Sequence, residues 1–309
     1  MSENFDQSRI ASDVARSRGQ YLARRLAAFI VRIMGLNRVG FLSTEIVQAI
    51  NPVREVRTRW GSMKVYCGHG RLLWRAETYD TEEPETIAWL DELAEDDLLW
   101  DIGANVGMYS IYAAKFKHCH VVAFEPESQN FAILVRNINL NGIQGLCTPA
   151  NLAVADQSGI GKLHVRYLTQ GGAYNSFDST AGGHAIPESN QDIWQTDEVK
   201  PITQIMYGAA MDDLVEKAGM EAPTHIKIDV DGLEPLIIAG GSRLLGHARV
   251  KSVLVEINRS SKRDMEIPEI MKLKGFRLKS ERSNWLSRTD RSREQEMPTT
   301  NMIFVRGEE

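Results

Sequence analysis

Gly103, Gly107 and Glu125 have the spacing of a nucleotide-binding site. The run Leu98-Leu99-Trp100-Asp101-Ile102-Gly103-Ala104-Asn105-Val106-Gly107-Met108-Tyr109-Ser110 reads as a buried strand, a glycine-rich turn and a helix start. Glycine lets the chain turn sharply and approach a ligand closely. The turn feeds a helix predicted over Met108–Phe116, whose first amides face the ligand. A second strand, Val121-Val122-Ala123-Phe124-Glu125, ends in a carboxylate. That carboxylate lies about twenty residues past the first glycine, the offset of a ribose-binding acid. The glycines alone would also suit an ordinary tight turn; with Glu125 they point to an enzyme that binds an adenosine cofactor.

The run G-A-N-V-G departs from the nicotinamide fingerprint G-x-G-x-x-G. Asp101 sits two residues before the first glycine, where a pyrophosphate would meet its charge. The ammonium and sulfonium of S-adenosylmethionine suit that acid better, and Glu125 can accept from both ribose hydroxyls. The expected cofactor contacts are Asp101, Gly103, Ala104, Asn105 and Gly107 from the turn, and Glu125 from the second strand. Leu152 and Ala153 would line the adenine slot. Asp156 would reach the adenine amino group, or else serve the turn before Ser158-Gly159.

Asp101, Asp229 and Glu256 end three predicted strands, the edge where parallel sheets bind ligands. Lys227 and Asp229 alternate with Ile226 and Ile228, so they share one strand face. A lysine buried in a central strand is costly unless paired. Glu256 or Asp229 is its natural partner, in a catalytic or a purely structural ion pair. A hydroxyl acceptor needs a general base. Asp229 and Asp231 are the leading candidates; His164, His184 and His225 are alternatives. Asp229, Glu256 and Asn258 would form an oxygen-rich Mg²⁺ cluster, but the acids have another explanation and no metal is expected.

Three blocks resemble the FkbM family of class I S-adenosylmethionine-dependent methyltransferases. They are Asp101-Ile102-Gly103-Ala104-Asn105-Val106-Gly107; Ala123-Phe124-Glu125-Pro126 with a helix Asn130–Asn141 ending in Asn139-Leu140-Asn141-Gly142; and Ile226-Lys227-Ile228-Asp229-Val230-Asp231-Gly232-Leu233-Glu234 running into Ile238-Ala239-Gly240-Gly241. The family commonly has Glu where this chain has Asp231. The blocks lie between about 98 and 258, and nothing before about 80 matches. The resemblance implies methylation of hydroxyl groups, often on sugars, polysaccharides or polyketide-type products. An RNA methyltransferase and a non-catalytic scaffold are the other readings. The formal charge of −5 and the missing N-P-P-Y-type motif count against RNA, and the intact Gly103, Gly107 and Glu125 count against a scaffold.

The elements that must position these residues alternate strand and helix from 98 to 154, with a third strand near Leu146–Val154, which means a parallel sheet. Helices are predicted over Met211–Ala218, Glu234–Leu245 and Pro268–Lys274. Strands are predicted over Thr224–Val230, Ser252–Ile257, Phe276–Ser280 and Met302–Val305. The expected fold is α/β: a Rossmann-like, seven-stranded, mostly parallel sheet with helices on both faces, its last strand antiparallel. Residues 1–95 form a helical and β-hairpin extension, and 96–309 the methyltransferase domain. In the extension, Ser62–Cys67 and Arg71–Thr78 are predicted as a hairpin across Gly68-His69-Gly70, followed by a helix Glu83–Leu93. A glycine-rich insertion at about 157–206, with a strand pair near Lys162–Leu168, would build the acceptor pocket or lie on the surface.

Ile10, Val14, Tyr21, Leu22, Leu26, Phe29, Ile30, Ile33 and Met34 recur at helical spacing among Arg9, Arg16, Arg18, Arg24, Arg25 and Arg32. Such a helix packs on its own domain or on a second copy in a homo-oligomer, or touches an anionic membrane peripherally. No apolar run reaches a membrane span, and the arginines break any signal peptide. Cys67, Cys119 and Cys147 fit no zinc or disulfide pattern, and a reducing cytoplasm is the expected setting. The partner expected is a small-molecule or glycan acceptor, not nucleic acid.

Overall fold

A computed structural model describes residues 22, 25–35, 40–165, 168, 170–173, 175–178, 202–283 and 299–307. The chain forms two units, Met1–Pro52 and Val53–Glu309. In the first, residues 25–33 are helical and a second helix spans Gly40–Ile50. The predicted helical positions Ile10, Val14 and Tyr21, with Arg9, Arg16, Arg18 and Arg24, lie outside the described residues. No helix among the described residues is long and apolar enough to cross a membrane.

The second unit opens with a hairpin, but of different strands from those expected. β1 (Val53–Thr58) pairs antiparallel with β2 (Gly61–Tyr66). Arg71–Thr78 is not a strand; it lies inside helix α1 (Gly70–Glu82). The reason is packing: Leu72, Ala76 and Tyr79 are buried at helical spacing, and the His69 side chain caps the helix by accepting from the Arg71 amide. Helix α2 (Pro84–Leu90) follows, with proline in its first turn.

The main sheet then runs β3 (Leu98–Ile102), helix α3 (Met108–Phe116), β4 (His120–Phe124), helix α4 (Ser128–Asn141) and β5 (Cys147–Ala150). The predicted third strand Leu146–Val154 is two strands. Asn151 donates from Nδ2 to the carbonyls of Glu125 and Pro126, and the chain leaves the sheet there. It continues as β6 (Ala153–Ala155), which pairs in parallel with residues Gly208–Ala210 in a second sheet. That sheet, ordered β6-β9-β7-β8, contains β7 (Gly159–Val165), β8 (Ser176–Asp178) and β9 (Ile202–Ala210). The predicted insertion is therefore largely sheet where described; its residues 179–201, with His184, lie outside the described residues.

Helix α5 (Met211–Glu216), β10 (His225–Ile228), helix α6 (Glu234–Gly240), β11 (Ser252–Asn258), helix α7 (Ile267–Leu273), β12 (Phe276–Ser283) and β13 (Thr299–Arg306) complete the chain. The predicted helix Glu234–Leu245 stops at Gly240, and a separate 3₁₀ turn follows at Leu244–Gly246. The main sheet is ordered β12-β13-β11-β10-β3-β4-β5, and β13 is antiparallel to both its neighbours. Seven strands, mostly parallel, make the Rossmann-like α/β fold. Leu99 packs on one face with Ile111 and Leu134, while Trp100 and Ile102 pack on the other with Phe124 and Ile226. Both faces are covered, which is why the central strands are apolar without alternation.

Candidate active site

The turn after β3 is held by backbone. The amides of Gly103 and Ala104 both donate to the Phe124 carbonyl, at 3.1 and 3.0 Å. Gly103 has φ +83°, and a Cβ there would stand 1.8 Å from the carbonyl oxygen of Asp229. Gly107 has φ +85° at the cap of α3, where a Cβ would meet Leu134 at 2.4 Å. Close packing of three chain segments thus requires both glycines.

Glu125 lies just past β4 and is 5% exposed. Its two oxygens accept from the Asn105 amide at 2.8 Å and the Glu127 amide at 2.9 Å. Burial pushes its carboxyl up to about 8, against those backbone bonds. Glu125 borders a cleft between the main sheet's strand ends and the second sheet. Gly103, Asn105, Leu152, Ala153, Asp229 and Asp231 also line it, and Leu163 and Phe177 close it from the second sheet. The segment around Gly172 crosses this cleft. Its carbonyl accepts from Asn105 Nδ2 at 2.8 Å and Asn130 Nδ2 at 3.1 Å.

Four of the predicted cofactor contacts stand away from the cleft wall. Ala104 and Gly107 are inside the turn. Asp156 packs its backbone against Gly240. Asp101 is 1% exposed, accepts from Ser110 Oγ at 2.5 Å, and lies 4.0 Å from Lys227 Nζ. Burial raises the Asp101 pKa, while Lys227 and Ser110 oppose the rise.

Lys227 is fully enclosed in β10, with Asp101 as its register partner on β3. Its ammonium lies 2.7 Å from Asp229 Oδ2 and 5.2 Å from the centre of the Tyr109 ring. Burial alone would lower its pKa; Asp229, Asp101 and Glu83 together hold it above the usual lysine value. Past β10 the chain turns sharply. Asp231 takes φ +60° and Gly232 φ +107°. Glu234 ties this loop by accepting from the amides of Val230 and Gly232, at 3.0 and 3.2 Å. Burial pushes the Glu234 carboxyl up to about 8 as well. Glu256 is raised far above its ordinary value by burial, then by Asp229, Glu83, Glu234 and Asp231.

The histidines lie elsewhere. His225 opens β10, with Nδ1 2.7 Å from Ser252 Oγ and Nε2 3.2 Å from Asp97, at the opposite end of the strand from Asp229. His164 pairs with Asp178 within the second sheet, at 3.0 Å. Asn258 accepts from the Ser260 amide in a local turn. Among the described residues, no three His, Cys, Asp or Glu side chains are grouped as a metal site needs.

Residues 101–278, more than half of the chain, match the Methyltransferase FkbM domain. The chain belongs to the FkbM methyltransferase family. It is 27% identical over 186 residues to hexuronic acid methyltransferase AglP of Haloferax volcanii, covering 60% of this chain and 66% of that protein. It is 23% identical over 222 residues to 31-O-demethyl-FK506 methyltransferase FkbM of Streptomyces tacrolimicus, covering 64% and 80%. It aligns with the crystal structure of methyltransferase FkbM from Methylobacillus flagellatus at a TM-score of 0.42 and 15% identity, covering 75% of this chain and 52% of that one. The chain therefore spans just under two thirds of the first of these proteins and about half of the last.

In this member of the FkbM family the matched segment begins at Asp101, so Glu83 lies before it. Tyr109, Asn130 and Glu234 stand inside the quoted motifs with no role assigned to them, whereas Glu83 and Phe177 lie outside those motifs. Glu83 directly before Pro84 marks a helix start, and Asn130 is a polar residue on the buried face of α4. Neither signal says that the side chain reaches the strand ends.

Proposed function

We propose that this enzyme transfers the methyl group of S-adenosylmethionine to a hydroxyl of a sugar, polysaccharide or related natural product. The observation that carries the reading is Glu125, a carboxylate fixed by two backbone amides in the wall of a cleft that also holds apolar side chains. The residues present fit an adenosine ligand. Glu125 can accept ribose hydroxyls, and Leu152, Ala153, Leu163 and Phe177 can flank a base. Gly103 and Asn105 bring backbone to the same wall. Asp229, backed by Lys227, and Asp231 would present negative charge to the donor's cationic end. Asp101 would act from behind, by holding Lys227. When bound, the donor supplies an electrophilic methyl carbon, so the protein's task is to align an acceptor oxygen and remove its proton. The names of the hexuronic acid and FK506 relatives support a hydroxyl-bearing acceptor.

Titration calorimetry with S-adenosylhomocysteine tests the donor site. Micromolar binding is expected, weakened by about 1–3 kcal/mol in Glu125→Ala, the loss for a charged hydrogen-bond acceptor. Equal affinity in the two proteins would refute the assignment.

A further inference from the structure

Helix α2 stands upright against the main sheet. At its far end, Trp89 Nε1 donates to Ser252 Oγ at 2.8 Å, and its ring meets His225 edge-on at 6.0 Å. Ser252 and His225 open β11 and β10. Seven helical residues rise about 10 Å, and the strand from Ser252 to Glu256 rises about 13 Å. From Trp89 back to Pro84 the helix covers about 7–8 Å of that length, so its first residue lies toward the carboxyl ends of those strands.

The contacts there agree. Asn301 is the cross-strand partner of Glu256. Its Nδ2 donates to Glu83 Oε2 and Glu85 Oε1, both at 3.1 Å. Thr86 Oγ1 donates to the same Glu83 Oε2 at 2.9 Å. Both bonds fall on one oxygen, and Oε1 accepts none among the described residues. Asn301 and Thr86 thus hold one oxygen of Glu83 in place beside the strand end that carries Glu256.

Building on the O-methylation reading above, we propose that Glu83 is the general base, with Oε1 taking the acceptor hydroxyl's proton. In that step the O–H bond breaks and its proton passes to Glu83. An oxygen electron pair forms the O–CH₃ bond, and the pair of the breaking S–CH₃ bond returns to sulfur. Glu83 then releases its proton to water.

Asp229 is less suited to the task, because its Oδ2 is already engaged by the Lys227 ammonium at 2.7 Å. The groups facing Glu83 are Lys227 on β10 and Asp229 just past it, Glu256 on β11, Tyr109 on α3 and Glu82 beside it. Burial, then Asp229, pushes its carboxyl to about 7, against Lys227 and Thr86. A base with that value is matched to neutral pH.

The test compares wild type with Glu83→Gln, which keeps an oxygen for Thr86 and Asn301. Glutamate δ-carbons are labelled with ¹³C and followed by NMR across pH. S-adenosylhomocysteine affinity is measured in parallel, and methyl transfer is assayed with methyl glucuronoside as probe acceptor. A resonance titrating between about pH 6 and 8 is expected in wild type and absent from Glu83→Gln. Affinity should stay within about threefold, while turnover falls about 10²–10³-fold and partly returns in Glu83→Asp. The proposal is overturned if the missing resonance titrates in the ordinary carboxylate range, if turnover is unchanged, or if affinity drops more than about tenfold. Failure of wild type to bind S-adenosylhomocysteine would instead reject the donor reading.

Discussion

Lys227 is the charge on which the site's carboxylates depend. It lies between Asp229 at 2.7 Å and Asp101 at 4.0 Å, and all but Asp229 are sealed from water. Removing one member of such a group leaves the others buried and uncompensated, which costs about 3–5 kcal/mol. Lys227→Met should therefore unfold at a distinctly lower urea concentration than wild type. The same change should push the Asp101 carboxyl further toward its neutral form. A denaturation midpoint equal to wild type would show that Asp101 and Asp229 are stable without the lysine, and that the ion pair is not structural.

At the scale of elements, the turn between β3 and α3 joins three segments through Gly103. Its φ of +83° and the nearby Asp229 carbonyl leave no space for a side chain. Substitution there acts on folding and not on ligand space alone, which corrects the simple view of the glycine as a ligand cradle. Gly103→Ala should lower the melting temperature as well as S-adenosylhomocysteine affinity, measured by circular dichroism and calorimetry on one sample. Lost binding with an unchanged melting curve would contradict this. The turn was legible in sequence because local rules specify it: an apolar strand, two glycines and an acid at a fixed offset. β4, α4 and β11 were legible for similar local reasons, since their apolar runs and helix ends lie within each element. The region around Arg71–Thr78 was not. Its apolar residues fit a short strand about as well as a helix until Leu72, Ala76 and Tyr79 are seen to share a buried face. The break at Asn151 depends on a side chain reaching back to Glu125 and Pro126. Glu83 was missed for the same reason: only the sheet brings it to Lys227.

Across the whole molecule, three carboxyls hold protons near neutrality: Glu83 at about 7, Glu125 at about 8 and Glu234 at about 8, each raised chiefly by burial. In the unfolded chain they titrate near 4.5. Between these values the folded state binds more protons than the unfolded one, so stability falls as pH rises. His225 pulls the other way, because burial lowers its pKa, but only below its ordinary 6.5. Asp97, lowered to about 2 with Lys251 as a main opponent of its burial, acts only in acid. Lys227, with its raised pKa, stabilises the fold until the solution is strongly alkaline. The window from about pH 6.5 to 8.5 is thus governed by these three glutamates together with Glu256 and Asp101, whose carboxyls burial also raises. One proton equivalent changes stability by about 1.4 kcal/mol per pH unit, and Glu83, being half-buried, contributes less than the other two. The ligand-free protein should lose about 5–10 °C of melting temperature across that window. Glu125→Gln with Glu234→Gln should flatten the dependence, since neither amide titrates. Scanning calorimetry at matched ionic strength measures it, and a melting temperature that is constant or rises with pH would show that these carboxyls are already ionised in the folded enzyme.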